Sequence, residues 1–198
     1  KDSVQIDGKK PEAAAYFKLD ATRKTVLVTG GSLGAGTLNR SILAGLEKLQ
    51  ETGVQVIWQT GKYYYRNIAE QLGTDVPEGV RVLEFLDRMD LAYAMADVII
   101  SRAGAGTIAE LCVVRKPVIL VPSPNVAEDH QTKNAMALVQ NRAAVLVADS
   151  IAERELVDIA ISLINDPQRS DELSRQIGKM ALPEADEIIA NEVISIAG

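Results

Sequence analysis

The chain has 198 residues, of which 47% are hydrophobic and 4% aromatic, and its formal net charge is −6. A chain of this length can bury roughly 70% of the surface of its unfolded form, so we expect one compact domain with its own core. Its charges are of mixed sign without a Lys/Arg cluster, and together with the few aromatic residues this pattern argues against a surface that binds nucleic acid.

The sequence has the character of a cytoplasmic protein. Its single cysteine, Cys112, lies in an apolar stretch and is expected to be a small core residue, which suits a reducing compartment. No apolar run approaches the ~20 residues that a membrane span needs, and the first ten residues lack the apolar centre of a signal peptide. The chain begins at Lys1 rather than at methionine, so we expect it to be an excised piece of a longer protein.

The first 23 residues show no regular pattern, whereas the rest of the chain contains repeated short apolar segments. We expect residues 1–23 to be a linker that leads into the first strand, with one short turn of helix. The apolar segments are rich in Val, Ile and Leu and indicate β-strands. They are Lys24–Thr29, Val54–Thr60, Val80–Phe85, Asp97–Ser101, Pro117–Val121 and Ala143–Ala148.

Apolar residues spaced three and four apart fill the intervals between these strands and predict helices. The predicted helices are Leu38–Gln50, Lys62–Leu72, Arg88–Ala96, Thr107–Val114, Glu128–Gln140 and Ile151–Asn165. Two more helical patterns follow at 168–180 and 184–197, with no strand between them.

The regular alternation of strands and helices predicts an α/β fold. Because the strands are apolar throughout, we expect a doubly wound, Rossmann-like six-stranded parallel sheet with helices on both faces. The domain proper is expected to span residues 24–165, and residues 166–198 form an added helical region. Ligands of such sheets bind beyond the carboxyl ends of the strands, so the loops that follow the strands are the candidate site.

Two of these loops are rich in glycine. The first strand runs into Gly30, Gly31, Ser32 and Gly34, and the fourth runs into residues 101–107 (SRAGAGT). Glycine lets a ligand approach the backbone closely, and the start of the helix that follows offers free N–H groups to an anion such as a diphosphate. The alternative is that these glycines only make tight turns between strand and helix.

Other phosphate ligands fit the two loops less well. Residues 31–37 have the spacing of a Walker loop but no lysine after Gly36, which argues against ATP or GTP hydrolysis. Residues 104–109 (GAGTIA) match the dinucleotide pattern Gly-x-Gly-x-x-Gly/Ala. The next strand ends at Pro122 with no acidic residue to hold a ribose, so a nicotinamide cofactor is disfavoured.

Glu110 follows the second glycine loop and has two interpretations. With Thr107 it fits the Ser/Thr-x-x-Glu capping box of a helix start. Alternatively, the diphosphate of a nucleotide lies on the helix N-terminus and the Glu110 carboxylate binds two ribose hydroxyls.

Six blocks along the chain closely resemble the C-terminal half of the MurG family of GT-B glycosyltransferases. The blocks are Gly30–Ala35 (GGSLGA), Trp58–Lys62 (WQTGK), Glu84–Met89 (EFLDRM), Ser101–Glu110 (SRAGAGTIAE), Lys116–Pro122 (KPVILVP) and His130–Ala135 (HQTKNA). Enzymes of this family transfer N-acetylglucosamine from UDP-GlcNAc to lipid I, which makes lipid II for peptidoglycan and so supports cell-wall biogenesis, cell shape and division. The likeness runs in order over roughly residues 20–195, and six blocks in sequence are highly specific.

The resemblance implies that residues 24–165 bind the UDP-sugar donor. Leu86 would contact the uracil through its backbone, and Glu110 would bind the ribose. Ala105, Gly106 and Thr107 would face the diphosphate.

The resemblance also assigns a further residue near the phosphates and the residues that contact the sugar. Thr60 stands where the family commonly has a serine near the phosphates. The single histidine, His130, lies with Gln131 and Asn134 in the stretch that contacts the GlcNAc hydroxyls, so it is interpreted as a sugar contact rather than a general base. The Gly30–Gly34 loop would face the same cleft.

The chain departs from the family at one basic position. Gly36 stands where some relatives have arginine, so a cationic contact to the donor is missing or comes from another residue. Arg40 is one candidate substitute. Arg102 is a second, although we expect it to be solvated at the surface.

The chain has no Asp-x-Asp, so the metal clamp of many other glycosyltransferases has no evident ligands here, and we expect no bound metal or other cofactor. Departure of the diphosphate would be assisted by backbone N–H groups and the helix dipole. The acceptor site for lipid I, the catalytic base and a membrane-facing patch would lie in an absent N-terminal domain, to which the last helix crosses. We therefore expect this chain to hold no catalytic residue and not to turn over alone, while the full-length enzyme sits at the cytoplasmic face of the membrane.

Two alternatives stay open at this point. One is another GT-B transferase that uses a UDP-sugar, such as a diacylglycerol or antibiotic glycosyltransferase. The other is a non-catalytic module that binds nucleotides or docks a partner protein, which the acidic composition would also fit.

Overall fold

In the computed structural model, which describes residues 4–74, 76–124 and 129–181, the strands form one parallel sheet in the order β3-β2-β1-β4-β5-β6. The strands are β1 (Thr25–Thr29), β2 (Gln55–Gln59), β3 (Val80–Leu83), β4 (Val98–Ser101), β5 (Val118–Leu120) and β6 (Val145–Leu146). Each lies within a predicted apolar segment. The predicted doubly wound parallel sheet is confirmed, and its strand order is that of the Rossmann fold.

One helix precedes the first strand, and the others connect the strands or follow the last one. They are α1 (Lys10–Phe17), α2 (Gly36–Ala44), α3 (Leu46–Glu51), α4 (Tyr65–Leu72), α5 (Met89–Met95), α6 (Ala105–Val114), α7 (His130–Gln140), α8 (Asp149–Ile164) and α9 (Pro167–Gly178). The helix predicted at 184–197, and with it any crossing to another domain, lies outside the described residues.

The sheet has a separate hydrophobic core on each face. Alternate residues of a strand point to opposite faces, so in β1 Val26 and Val28 join one core while Leu27 joins the other. The first core packs the sheet against α2, α3 and α8, and the second packs it against α1, α5, α6 and α7. Because both faces are covered, β1 is buried along its whole length.

The helix predicted over Leu38–Gln50 is two helices in the structure. Helix α2 ends at Ala44 and α3 begins at Leu46, so the break falls at Gly45. A Cβ atom on Gly45 would lie 2.5 Å from a methyl carbon of Val157 in α8. The close approach of α8, which the sequence pattern does not reveal, therefore requires glycine at this position.

The N-terminal segment is more ordered than the predicted linker with one turn of helix. Helix α1 has eight residues and buries Ala13, Ala14 and Phe17 against α5. Its start is tied to α5 by the Lys9 ammonium, which lies 2.8 Å from the Asp90 carboxylate. Small apolar residues carry little helical periodicity, which is why the pattern did not predict a packed helix here.

Candidate functional site

The candidate site lies at the carboxyl edge of the sheet, where β1 and β4 are neighbours. Thr29 at the end of β1 pairs with Ser101 at the end of β4, so both glycine loops start side by side. The strand order reverses at this pair, since β2 and β3 lie beyond β1 whereas β5 and β6 lie beyond β4. Such a switch point opens the crevice in which doubly wound sheets bind ligands.

The loop after β4 leads into an open helix start. Helix α6 begins at Ala105, and its N-cap Gly104 provides no side chain to cap the first turn. Ala105 and Gly106 are exposed, and a Cβ atom on Gly106 would meet nothing within 4 Å. The first-turn N–H groups and the positive end of the helix dipole therefore face open space, which suits an anion.

Glu110 is not part of a capping box. Thr107 is the third residue of α6 rather than its N-cap, so the structure contradicts that interpretation. The Glu110 carboxylate instead accepts a hydrogen bond of 3.0 Å from the Tyr93 hydroxyl of α5. Glu110 is only partly buried, so its side chain is not enclosed in the core.

Tyr93 is 1% exposed, and its hydroxyl is directed to the Glu110 carboxylate. Burial raises the pKa of Tyr93 well above its usual range, and the neighbouring Glu110 charge adds to this rise. The Tyr93 hydroxyl therefore keeps its proton and donates the hydrogen bond to Glu110.

Helix α7 holds the backbone of the β4–α6 loop. The Gln131 amide oxygen accepts hydrogen bonds from the N–H groups of Ala103 (3.3 Å) and Ser123 (2.9 Å). The Asn134 amide nitrogen donates to the carbonyl oxygen of Ala103 at 3.0 Å. Both side chains are partly exposed, and each keeps a further polar atom, the Gln131 nitrogen and the Asn134 oxygen, for a ligand.

His130 is the first residue of α7 and is exposed. It therefore lies at the same end of the helix as Gln131. Residues 125–128, which precede this helix, are outside the described part of the chain.

Arg102 is not the solvated residue that the sequence suggested. Its guanidinium lies between the ends of β4 and β5 and donates to the carbonyl oxygens of Val121 (2.9 Å) and Pro122 (3.1 Å). It also forms an ion pair with Asp149, and the two side chains are only 14% and 19% exposed. Because Asp149 neutralises this charge, the role of Arg102 is to stabilise the conformation of the loop.

Asp149 connects the two glycine loops. Its second oxygen accepts a hydrogen bond of 2.9 Å from the Thr37 hydroxyl in the first turn of α2, while its first oxygen binds Arg102. Arg40, one turn further along α2, pairs with Glu153 at the surface. Neither arginine is therefore an unpaired cation that replaces the family's arginine at Gly36.

The loop after β1 is only partly open to the crevice. Gly31 is exposed with φ +81°, and a Cβ atom there would meet nothing within 4 Å. Gly34 has φ +87° and is closed, because its Cβ atom would lie 2.1 Å from the carbonyl oxygen of Thr60. Gln59 orders the open part by donating to the Gly31 carbonyl oxygen at 3.1 Å.

Three other predicted residues of this region differ in accessibility. Ser32 is exposed, whereas Gly30 is half-buried and its Cβ position is occupied by Ala35. Thr60 is fully buried, and its hydroxyl donates to the carbonyl oxygen of Leu83 at 3.2 Å. The structure therefore does not bring the Thr60 side chain to the open crevice.

Leu86 lies on the β3 side of the same sheet edge. It is 4% exposed, so its side chain is in the core and only its backbone is available to a ligand. A cavity of about 460 Å³ adjoins it, and Tyr16, Phe17, Phe85 and Arg88 contribute to its walls. This volume is sufficient for a planar heterocycle.

Two features are absent from the described residues. Residues 4–74, 76–124 and 129–181 contain no group of three or more His, Cys, Asp or Glu side chains that could bind a metal ion. Over the same part of the chain, no helix has the length and apolar character that crossing a bilayer requires.

The sheet order and the uncapped helix start at its switch point define the chain as a Rossmann-like α/β domain with a site suited to an anion. The model of the family described as "Glycosyltransferase family 28 C-terminal domain" matches residues 25–189. The chain belongs to this family.

Several similar proteins share one name. A "UDP-N-acetylglucosamine–N-acetylmuramyl-(pentapeptide) pyrophosphoryl-undecaprenol N-acetylglucosamine transferase" of Parabacteroides distasonis is 52% identical over 195 residues, which are 98% of this chain and 53% of that protein. A protein of the same name from Flavobacterium psychrophilum is 47% identical over 195 residues, 98% of this chain and 52% of that protein. The chain spans about half the length of the curated relatives it matches.

A solved structure supports the same grouping. The crystal structure of Acinetobacter baumannii MurG matches with a TM-score of 0.79 and 27% identity, covering 98% of this chain and 55% of that one. The resemblance that the six sequence blocks indicated is thereby confirmed.

The structure adds site residues that sequence reasoning missed. Tyr93 holds Glu110, and Gln59 holds Gly31. Asp149 connects the two loops. Tyr93 lies in the apolar run of α5 and Gln59 at the end of a buried strand, where their types suggest packing. Asp149 is an acidic residue at a helix start, which is a common position. No spacing in the sequence shows which loop each one contacts.

Proposed function

We propose that this chain is the donor-binding half of an inverting glycosyltransferase that moves N-acetylglucosamine from UDP-GlcNAc to lipid I and forms lipid II. The observation that carries the proposal is the open start of α6 with the Glu110 carboxylate one and a half turns further along the helix. In this arrangement the first-turn N–H groups bind the diphosphate and Glu110 binds the ribose.

Separate residues serve the uracil, the diphosphate and the N-acetylglucosamine of the donor. The backbone of Leu86 beside the 460 Å³ cavity serves the uracil. The amides of Ala105, Gly106 and Thr107 serve the diphosphate, whose charge grows as the sugar leaves. The Gln131 nitrogen and the Asn134 oxygen, with His130 beside them, serve the hydroxyls of N-acetylglucosamine.

The reaction itself needs more than these residues. The names of the relatives include both the donor and a pyrophosphoryl-undecaprenol acceptor, and those proteins are about twice as long as the matched region. We therefore assign lipid I, the catalytic base and attachment to the cytoplasmic face of the membrane to the half that this chain does not cover. The chain alone binds the donor and does not transfer its sugar.

Calorimetric titration with UDP-GlcNAc, UDP-glucose and NAD tests the proposal. We expect UDP-GlcNAc to bind most tightly and NAD not to bind. Binding of NAD alone would favour a dinucleotide module, and binding of none of the three would favour a protein-docking module. Equal affinity for both UDP-sugars would favour a transferase of different donor specificity.

A matched pair of variants tests the role of Glu110. Loss of a hydrogen bond to a charged group costs about 1.5–3 kcal/mol, so Glu110→Ala should weaken UDP-GlcNAc binding by roughly 10-fold or more. Glu70→Ala removes the same charge from the exposed face of α4, where Glu70 pairs only with Arg66, and should leave the affinity unchanged. Equal effects of both variants would contradict a direct contact at Glu110.

A further inference from the structure

We propose that Tyr93 is a positioning residue for the nucleotide: it holds the Glu110 carboxylate in the orientation that binds the ribose. This inference rests on the proposed function, because it takes the ribose as the ligand of Glu110. It assigns a role in donor recognition to a residue that has no access to the donor.

Burial excludes direct contact between Tyr93 and a ligand. Tyr93 is 1% exposed and belongs to the core on the α5–α6 side of the sheet. Its hydroxyl lies 3.0 Å from one oxygen of Glu110, which is partly exposed. The Tyr93 hydroxyl therefore reaches the site only indirectly, and the Glu110 carboxylate is the partly exposed group that it contacts.

The hydrogen bond fixes a side chain that is otherwise free to rotate. A glutamate on an open helix face samples many rotamers, and a ligand must select one of them before it can bind. A charge-assisted hydrogen bond from a rigid aromatic residue makes that selection in advance and lowers the entropy lost on binding. One carboxylate oxygen is held by Tyr93, and the other is left for the ribose hydroxyls.

The same contact joins two parts of the donor site. Helix α5 follows directly on the loop that carries Leu86, whereas α6 carries Glu110 and the open first turn. The start of α5 is anchored, because the Asp90 carboxylate binds both Lys9 (2.8 Å) and Arg88 (2.8 Å). The Tyr93–Glu110 bond therefore sets the ribose-binding carboxylate at a constant distance from the base-binding loop.

A purely structural role for Tyr93 predicts different behaviour. A buried hydroxyl needs a hydrogen-bond partner, and Glu110 would then serve only to satisfy it. In that case removal of the hydroxyl would affect every ligand of the site alike. A positioning role affects only ligands that offer ribose hydroxyls to Glu110.

The experiment compares UDP with 2′,3′-dideoxyuridine diphosphate by calorimetric titration of the 198-residue chain. For Tyr93→Phe we expect the dissociation constant for UDP to rise about tenfold and that for the dideoxy ligand to change less than twofold. Tyr63→Phe removes a hydroxyl from a side chain that is 72% exposed, and should change neither constant. A loss of affinity by Tyr93→Phe that is equal for both ligands, or no loss, would overturn the proposal.

A double-mutant comparison provides a second readout. In the Glu110→Ala background, addition of Tyr93→Phe should change the UDP dissociation constant less than twofold, because the group through which Tyr93 acts is gone. A further tenfold loss in that background would also overturn the proposal. If the unaltered chain binds UDP and the dideoxy ligand with equal affinity, the ribose contact of the proposed function is wrong. If the unaltered chain prefers UDP and Tyr93→Phe keeps the same preference, only the role of Tyr93 is wrong.

Discussion

Replacement of Gly34 by alanine tests how the loops after β1 and β2 are joined. Gly34 has φ +87°, and a Cβ atom there would lie 2.1 Å from the carbonyl oxygen of Thr60 and 3.1 Å from the Cα atom of Gly61. A left-handed backbone costs an alanine about 1–2 kcal/mol, and overpacking against fixed backbone adds about 1–3 kcal/mol. We therefore expect Gly34→Ala to lower the free energy of unfolding by about 2–5 kcal/mol.

Gly31→Ala is the matched control, because Gly31 has a similar φ of +81° and a Cβ atom there would meet nothing within 4 Å. Only the cost of the left-handed backbone applies at Gly31, so we expect the free energy of unfolding to fall by about 1–2 kcal/mol. Both losses are measured by urea unfolding followed by circular dichroism. Equal losses for the two variants would refute the inference that the Gly34 loop is pressed against Thr60.

Three further variants test other contacts of the fold and site. Asn39→Ala should cost about 2–5 kcal/mol in urea unfolding, because it leaves the buried Trp58 N–H without its 2.9 Å acceptor and removes a packed side chain; a loss below 1 kcal/mol would contradict this. The hydrogen bonds and charge of Arg88 hold the pKa of Asp90 well below its usual range. The ionised Asp90 carboxylate therefore stabilises the folded chain above about pH 4, and this stabilisation is lost as the pH falls further. The free energy of unfolding of Asp90→Asn should consequently fall less between pH 5 and pH 3 than that of the unaltered chain. Asp149→Ala should weaken UDP-GlcNAc binding several-fold, since it separates the two glycine loops, whereas Glu153→Ala, which removes a surface ion pair, should not.

The sequence predicted the features that depend on the pattern of neighbouring residues. All six strands were visible as short apolar runs, because a parallel strand that is covered on both faces has few polar residues. The open helix start after β4 was visible because glycine at 104 and 106 leaves the first turn bare. The order of these elements along the chain then fixed the edge of the sheet at which the site lies.

The features that the sequence did not predict depend on contacts between distant elements. The break at Gly45 is set by Val157 of α8, more than 100 residues away in the chain. Glu110 fits a capping box by spacing, yet its partner in the structure is Tyr93 of another helix. Arg102 was predicted to be a surface charge, because its partner Asp149 belongs to α8, which is distant in the sequence.

The proposed function depends above all on a diphosphate that lies on the first turn of α6. An NMR titration of the ¹⁵N-labelled chain with UDP measures which backbone amides respond. We expect the largest chemical-shift changes at the amides of Ala105, Gly106 and Thr107. Uridine, which has no phosphates, should leave the resonances of these amides unchanged. Large shifts confined to the Gly30–Gly34 loop, or shifts at α6 that uridine reproduces in full, would contradict a diphosphate at the start of α6.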